Sequence, residues 1–315
     1  MTAAPQLAAD GRLRHLLTLD GLPSALIENL LDDAARLREQ WHTQRALPQH
    51  LAGRTVVNLF FEASTRTRTS FDLAARRLGA LVVNFDIASS STSKGETTED
   101  TLATLEAMDA DAFVVRHKEN GTPAQLAAHA RQAAILNAGD GNRAHPTQGL
   151  LDLLTIRDRK GRVDGLNVVI CGDIRHSRVA RSDVHGLHAL GAGSVALCGP
   201  ASMLPAREEF PGCRISDDFD AALTDADVVI MLRIQRERIS DLPDLDVDSY
   251  HARYGLSMQR LARARRDALV MHPGPINRGV EIASAVADGA QSAILDQVAN
   301  GVFVRMAALT RLLAR

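Results

Sequence analysis

The sequence predicts an α/β protein with two doubly wound parallel sheets. Short apolar runs rich in Val, Ile and Leu alternate with helix-periodic segments through both halves of the chain. That alternation is typical of parallel strands joined by right-handed crossovers. The 315 residues exceed what one hydrophobic core usually organises, so we expect two domains. Hydrophobic residues make up 45% of the chain but aromatic residues only 3%, so aliphatic side chains must fill both cores.

The first half of the chain opens with an amphipathic helix and continues with four apolar runs that predict strands. The helix covers residues 23–44 and carries its acidic side chains early and its basic side chains late, which suits the helix dipole. The predicted strands are residues 54–61, 80–87, 111–117 and 134–139. A loop at residues 89–100 is too polar to pack in a core of its own.

The second half repeats the alternation with different motifs at the strand ends. A long helix from Leu150, ending in Arg, Lys and Gly, forms a natural bridge between domains. The runs NVVICGD, SVALCGP and ALVMHPGP predict strands, and FDAALTDADVVIMLRIQ predicts a short helix followed by a strand. The last 20 residues predict an amphipathic helix.

Composition excludes several classes of protein. The net charge of −2, from 36 basic and 38 acidic side chains, argues against a general affinity for nucleic acid or for an anionic membrane. Cys171, Cys198 and Cys213 form no CxxC or CxxH pair and are typical of reduced core cysteines. No signal-like segment and no run of 18 uncharged apolar residues is present, so we expect a cytoplasmic protein that does not bind membranes.

The stretch FEASTRTRTSF, residues 61–71, carries the strongest chemical signal. It follows the first predicted strand and leads into a helix, for which Ser64 is a suitable N-cap. The first helical turn would offer unpaired backbone N–H groups, hydroxyls and two guanidinium groups, which together favour a phosphate ligand. On composition alone, a capped helix with a solvated polar first turn remains an equally good interpretation.

The same stretch resembles the carbamoyl phosphate signature of the aspartate and ornithine carbamoyltransferases. The resemblance extends over almost the whole chain, through five separated motifs in the family's order. It implies a first domain, residues 1–147, that binds carbamoyl phosphate, and a second domain, residues 148–294, that binds aspartate. A bridging helix would join the two, and a C-terminal helix, residues 295–315, would pack back on the first domain. No cofactor and no metal are implied.

The resemblance also assigns ligands for carbamoyl phosphate. Arg116 ends a predicted strand, where open α/β sheets bind their ligands, and would contact the phosphate and the carbamoyl carbonyl. His145 would donate to the carbonyl oxygen, and Gln148 would accept from the carbamoyl NH₂. The HPGP sequence, residues 272–275, implies a cis Gly274–Pro275 bond whose carbonyls accept from both substrates. The expected ligands are Ser64, Thr65, Arg66, Thr67, Arg116, His145, Gln148, Gly274 and Pro275, of which Arg66, Thr67, Arg116 and His145 are the expected catalytic residues.

Other family positions point to aspartate as the acceptor. Arg178 matches the ligand of the α-carboxylate, while Arg233 and Gln235 match the ligands of the β-carboxylate. The SKGET loop matches a loop that reaches into a neighbouring subunit's site, where Ser90 and Lys94 would touch the substrates. Ornithine enzymes lack this lysine and have HCLP in place of HPGP.

The segment after Ile170 is no dinucleotide fingerprint, since it contains only Gly172.

By resemblance, then, we expect a homotrimer with shared active sites that carbamoylates L-aspartate. Two alternatives stay open: a carbamoyltransferase with another amine acceptor such as ornithine, and a non-catalytic homologue. Whether regulatory chains or other enzymes of pyrimidine synthesis join the assembly also stays open. His185 and His188 have a spacing that could hold a metal, but no third ligand accompanies them, and we expect a helix surface there.

Overall fold

The computed structural model describes residues 6–85, 96–234 and 247–314. The chain forms two compact units: unit 1 comprises Met1–Leu151 and Ala299–Arg315, and unit 2 comprises Asp152–Val298. Among the described helices, none combines the length and the apolar composition that a bilayer crossing requires.

Unit 1 is built on a parallel four-stranded sheet in the order β2-β1-β3-β4. Its strands are β1 (Thr55–Phe60), β2 (Leu81–Phe85), β3 (Ala112–His117) and β4 (Ala134–Asp140). Its helices are α1 (Ser24–Gln44), α2 (Thr65–Arg77), α3 (Thr98–Glu106) and α4 (Thr122–His129), followed by α5 (Pro146–Lys160), which continues into unit 2. The central strands β1 and β3 are buried over most of their length, as the continuous apolar runs predict.

Helix α2 shows how the periodicity of the sequence becomes packing. Phe71, Ala74 and Ala75 lie on one face of the helix and are fully buried, as is Leu78 just after its end. The turn to β2 passes through Gly79 at φ +87°, where a Cβ would come within 2.5 Å of the Gln49 side-chain oxygen. Glycine is therefore favoured here chiefly by the positive φ, which other residues adopt only with strain.

Unit 2 is built on a parallel five-stranded sheet in the order β7-β6-β5-β8-β9. Its strands are β5 (Asn167–Cys171), β6 (Ser194–Cys198), β7 (Arg214–Ser216), β8 (Val228–Met231) and β9 (Leu269–Met271). Its helices are α6 (Arg178–Ala189), α7 (Phe219–Leu223), α8 (Val247–Tyr254), α9 (Met258–Leu261) and α10 (Ser284–Ala287), and α11 (Ile294–Leu313) begins in it. Aliphatic residues of the strands pack with Tyr250 and Tyr254 of α8 to form its core.

The end of α11 belongs to unit 1. Arg305, only 4% exposed, donates from Nη1 to the Ser70 hydroxyl at 2.9 Å, and its guanidinium lies over the Phe71 ring. Arg311 donates to Asp33 of α1. These contacts join the C-terminal part of α11 to α1 and α2 of unit 1, and the two parallel sheets confirm the predicted fold class.

Candidate active site

The order of strands in unit 1 reverses between β1 and β3, because β1 leads to β2 on one side and β3 leads to β4 on the other. Ligands of open α/β sheets bind at the carboxyl ends of strands at such a switch point. Residues 64–67 begin four positions after the end of β1, and Arg116 lies near the end of β3 in register with Phe60. The Phe61 N–H donates to the Arg116 carbonyl at 2.9 Å. The predicted phosphate turn and Arg116 therefore lie at the same sheet edge.

The 64–67 turn presents donors and no acids. Ser64 occupies the N-cap position of α2 with extended backbone, as expected, but its side chain makes no capping hydrogen bond. The first N–H groups of a helix have no intrahelical partner, and the helix dipole adds positive potential there. The first turn of α2 contains no acidic residue, and the Thr65 and Arg66 side chains are exposed. This arrangement suits a phosphate dianion.

Arg116 is held in place by two acceptors. Its side chain is 11% exposed; Nη2 donates to Glu62 Oε1 at 2.7 Å, and Nη1 donates to the Ala138 carbonyl at 3.3 Å. Glu62 precedes the turn by two residues, and Ala138 lies in β4. The guanidinium is thus fixed between the ends of the strands on either side of β3, which orients it for a charged ligand.

His145 and Gln148 lie where β4 leads into α5. A tight turn follows β4, with the Asp140 N–H donating to the Ala144 carbonyl at 3.0 Å. Gly141 in this turn has φ +46°, and a Cβ there would overlap the Asn120 side chain, so any other residue would be strained and would displace Asn120. His145 and Gln148 are 4% and 8% exposed and are linked by a bond from the Gln148 N–H to the His145 carbonyl at 2.9 Å.

Unit 2 has its own switch point, between β5 and β8. Arg178 is the first residue of α6, which follows β5, and Arg233 follows β8. The Ser177 side chain caps α6 by accepting from the Ala180 N–H at 3.0 Å, so Arg178 starts a well-formed helix. Arg178 is half-buried and Arg233 is exposed. Two guanidinium groups at neighbouring strand ends suit a ligand with carboxylates.

The HPGP loop, residues 272–275, follows β9 and contains the expected cis bond between Gly274 and Pro275. Just beyond it, Asn277 Nδ2 donates to the Ile234 carbonyl at 2.8 Å. Because Ile234 is the neighbour of Arg233, this bond ties the HPGP loop to the segment that carries that arginine.

Comparison with known proteins matches both halves of the chain to one family. The model of the aspartate/ornithine carbamoyltransferase carbamoyl-P binding domain matches residues 14–158, and that of the Asp/Orn binding domain matches residues 164–312. The chain belongs to the aspartate/ornithine carbamoyltransferase family. The sequence resemblance is thereby confirmed.

Individual members of the family are similar over nearly the full length. The chain is 58% identical to the aspartate carbamoyltransferase catalytic subunit of Xanthomonas campestris pv. campestris (strain B100), with 98% of each chain covered. It is 56% identical to that of Stenotrophomonas maltophilia (strain R551-3), covering 98% of this chain and 99% of the other. Aspartate transcarbamoylase from Trypanosoma cruzi, solved with carbamoyl aspartate and phosphate, superposes with a TM-score of 0.87 at 32% identity, covering 96% of each chain.

Three of the residues that the family resemblance assigned, Ser90, Lys94 and Gln235, lie outside the described residues.

Sequence reasoning missed two residues that orient the carbamoyltransferase motifs. Glu62 lies within FEASTRTRTSF, but the sequence gives no reason for an acid beside a phosphate-binding turn. The structure supplies it, because Glu62 accepts a hydrogen bond from Arg116. Asn277 follows the HPGP loop directly, yet only the fold shows its bond to Ile234.

Proposed function

We propose that the chain transfers the carbamoyl group of carbamoyl phosphate to the α-amine of L-aspartate. The products are N-carbamoyl-L-aspartate and phosphate, which makes this the committed step of pyrimidine synthesis. The observation that carries the proposal is the acid-free first turn of α2 beside Arg116, at the switch point of a carbamoyl-P binding domain. Relatives above 55% identity bear the name aspartate carbamoyltransferase catalytic subunit.

Unit 1 supplies the groups for carbamoyl phosphate. Backbone N–H groups of the 64–67 turn, the Ser64 and Thr65 hydroxyls and Arg66 bind the phosphate. Thr67, Arg116 and His145 donate to the carbonyl oxygen, where negative charge develops, and the Gln148 carboxamide oxygen accepts from the NH₂ group. Removing one such donor from an enzyme typically costs about 3 kcal/mol of transition-state stabilisation.

Unit 2 supplies the groups for aspartate. Arg178 binds the α-carboxylate, Arg233 and Gln235 bind the β-carboxylate, and the Gly274 and Pro275 carbonyls accept from the amino groups of both substrates. Two guanidinium groups favour an acceptor with two carboxylates. The ammonium side chain of ornithine would be repelled by Arg233, which disfavours ornithine as the acceptor.

The reaction then needs no covalent intermediate on the protein. The amine lone pair of aspartate attacks the carbamoyl carbon and forms the C–N bond. The bond between the carbamoyl carbon and the bridging oxygen then breaks, and its electron pair leaves with the phosphate. The proton lost by the amine can pass to that phosphate. Positioning and fixed charge lower the barrier.

The protein is further proposed to be a cytoplasmic homotrimer with shared active sites. Strand β2 lies at the edge of its sheet, yet Leu81 is 65% exposed and Val83 is 37% exposed. An uncovered apolar edge strand invites pairing or aggregation, so a partner surface is expected to cover it. The segment with Ser90 and Lys94 follows β2 in the chain, which supports its delivery to a neighbouring subunit.

The decisive experiment is a product assay with purified protein, carbamoyl phosphate and either L-aspartate or L-ornithine. We expect carbamoyl aspartate with the first and no citrulline with the second. Citrulline instead would favour the ornithine alternative, and no product with either amine would favour a non-catalytic homologue. Native mass spectrometry should give three times the 34.0 kDa chain mass, and a monomer would contradict the trimer.

A further inference from the structure

A buried glutamine of α11 holds the first residue of the HPGP loop. Gln297 Oε1 accepts from the His272 backbone N–H at 2.9 Å, and Gln297 Nε2 donates to Asp152 Oδ1 of α5 at 2.6 Å. All three residues are at most 2% exposed. A carboxylate can only accept, so Asp152 determines that the carbonyl end of the carboxamide faces His272.

The His272 side chain fixes the rest of the loop. The Gly274 N–H donates to His272 Nδ1 at 2.7 Å, so Nδ1 is the acceptor nitrogen and Nε2 carries the hydrogen. Nε2 lies 3.1 Å from Glu281 Oε1, and the same oxygen accepts from the Asn277 N–H at 2.5 Å. The fully buried Glu281 side chain thereby bonds both His272, the first residue of the loop, and Asn277, two residues beyond its end.

Asp152 has a second buried carboxyl group beside it, that of Asp183 on α6. Burial raises the pKa of Asp183 well above its ordinary value, and the Asp152 carboxylate raises the Asp183 pKa further. These effects favour a neutral Asp183, so the buried pair does not carry two adjacent negative charges.

We propose that Gln297 is a positioning residue for the carbamoyl transfer, because its carboxamide, oriented by Asp152, holds the backbone from which the Gly274 and Pro275 carbonyls project. The inference rests on the proposed function, in which those carbonyls accept from the amino groups of both substrates. Without Gln297, the buried His272 N–H and the buried Asp152 carboxyl group each lose one hydrogen bond, and the loop is free to shift. A misplacement of about 1 Å can cost on the order of 100-fold in rate.

The test compares Gln297→Met with a matched control, Gln291→Met. Gln291 Nε2 donates to the Ala268 carbonyl at 2.9 Å before β9 begins, so the control loses a similar bond without touching the HPGP loop. We expect Gln297→Met to lower kcat/KM for aspartate by about 10- to 100-fold. Its Kd for inorganic phosphate, which unit 1 residues bind, should stay within twofold of wild type. Gln291→Met should keep both values.

A polarity swap separates positioning from a general loss of packing. Gln297→Glu alone places a second carboxylate against Asp152 and should lower activity at least as much as Gln297→Met. Combined with Asp152→Asn, the introduced carboxylate can accept from both the His272 N–H and the new amide, with the same number of carboxyl groups as in wild type. The double variant should recover at least about tenfold over the single one, since a like-charge contact becomes a hydrogen bond.

The outcomes are distinguishable from a failure of the proposed function. If the wild type makes no carbamoyl aspartate, the function itself is wrong. If the wild type is active and folded Gln297→Met keeps kcat/KM within twofold, the positioning role is overturned. Should Gln297→Met fail to fold, the swap decides: recovery in the double variant supports the role, and no recovery overturns it.

Discussion

The Arg116 guanidinium is held by the Glu62 carboxylate, with 2.7 Å between Nη2 and Oε1. The pair is only partly buried, with 11% of the Arg116 and 34% of the Glu62 side chain exposed, so its net contribution to stability is modest. The pair acts mainly on the orientation of Arg116, because Glu62 holds Nη2 while the Ala138 carbonyl holds Nη1. Glu62 therefore fixes the direction in which Arg116 can donate.

Glu62→Ala should lower kcat about tenfold or more, because Arg116 loses the carboxylate that orients it and a small misplacement of a catalytic group is costly. Glu62→Gln keeps an oxygen acceptor and should lose less. Steady-state kinetics with both variants measure the effect. Equal activity of Glu62→Ala and wild type would mean that Arg116 needs no such support.

Arg66→Ala should weaken the binding of carbamoyl phosphate by roughly 1.5–3 kcal/mol, or about 10- to 150-fold, since a charge-assisted contact to the phosphate is lost. Arg76→Ala at the other end of α2 is the control, because Arg76 is paired with Asp72 at 2.9 Å. Isothermal titration with carbamoyl phosphate separates the two variants. Matching affinities for both would show that Arg66 does not bind the phosphate.

Arg233→Ala should raise the KM for aspartate about tenfold or more while leaving the affinity for carbamoyl phosphate nearly unchanged. The reason is that only aspartate, the acceptor substrate, has a β-carboxylate, and the variant lacks the arginine that binds it. Arg263→Ala, which alters an exposed arginine 3.5 Å from Asp220 in the same unit, should leave both values unchanged. A loss of carbamoyl phosphate affinity in Arg233→Ala would contradict the division of roles between the units.

Much of the fold could be predicted because periodicity reports burial directly. The spacing of Phe71, Ala74 and Ala75 predicted the buried face of α2, and the apolar runs predicted the central strands. Other features carry no such local signal. Strand β7 has three residues, one of them an exposed arginine, and is defined only by its pairing with β6.

The site shows the same division between local and distant information. Motifs such as the 64–67 turn and the HPGP loop are contiguous, so the sequence alone could locate them. The side chains that orient them are remote in sequence: Glu62 and Arg116 are 54 positions apart, and Gln297 and Asp152 are 145 apart. Their partnerships depend on the completed tertiary structure, which no spacing rule encodes.

A buried histidine predicts how stability depends on pH. His15 is 4% exposed, and its Nδ1 accepts from the Ile135 N–H at 3.0 Å. Burial, aided by the charge of Arg14, lowers the His15 pKa from 6.5 to about 4. Between these values the unfolded chain binds a proton that the folded chain excludes. The contribution of the uncharged, buried His15 to the free energy of unfolding is therefore fully present above pH 6.5, and it is lost as the pH falls toward 4.

His15→Asn replaces the accepting nitrogen with an amide oxygen that does not titrate in this range. From pH 7 to pH 5 the wild type should lose about 2 kcal/mol more of its free energy of unfolding than the variant does. Urea unfolding at the two pH values measures this difference. His50→Asn, at an exposed histidine of the same unit, should behave as the wild type. Identical pH dependence in wild type and His15→Asn would show that His15 is not the group responsible.

Shared active sites make the sharpest prediction about assembly. In the proposed trimer Lys94 acts in the site of a neighbouring subunit, while His145 acts in the site of its own subunit. Lys94→Ala and His145→Ala chains should each form trimers with little activity. A mixed trimer, however, should contain one interface at which the lysine of one chain and the histidine of the next are both intact.

The two variants are dissociated, mixed in equal amounts and reassembled, and their activity is compared with that of wild type treated in the same way. Random assembly makes about three-quarters of the trimers mixed. Each mixed trimer restores one site of three, so roughly one quarter of the wild-type activity should return. If each site were completed within one chain, mixing would restore nothing. Reassembly of either variant alone is the control, since it shows whether the treatment itself raises activity.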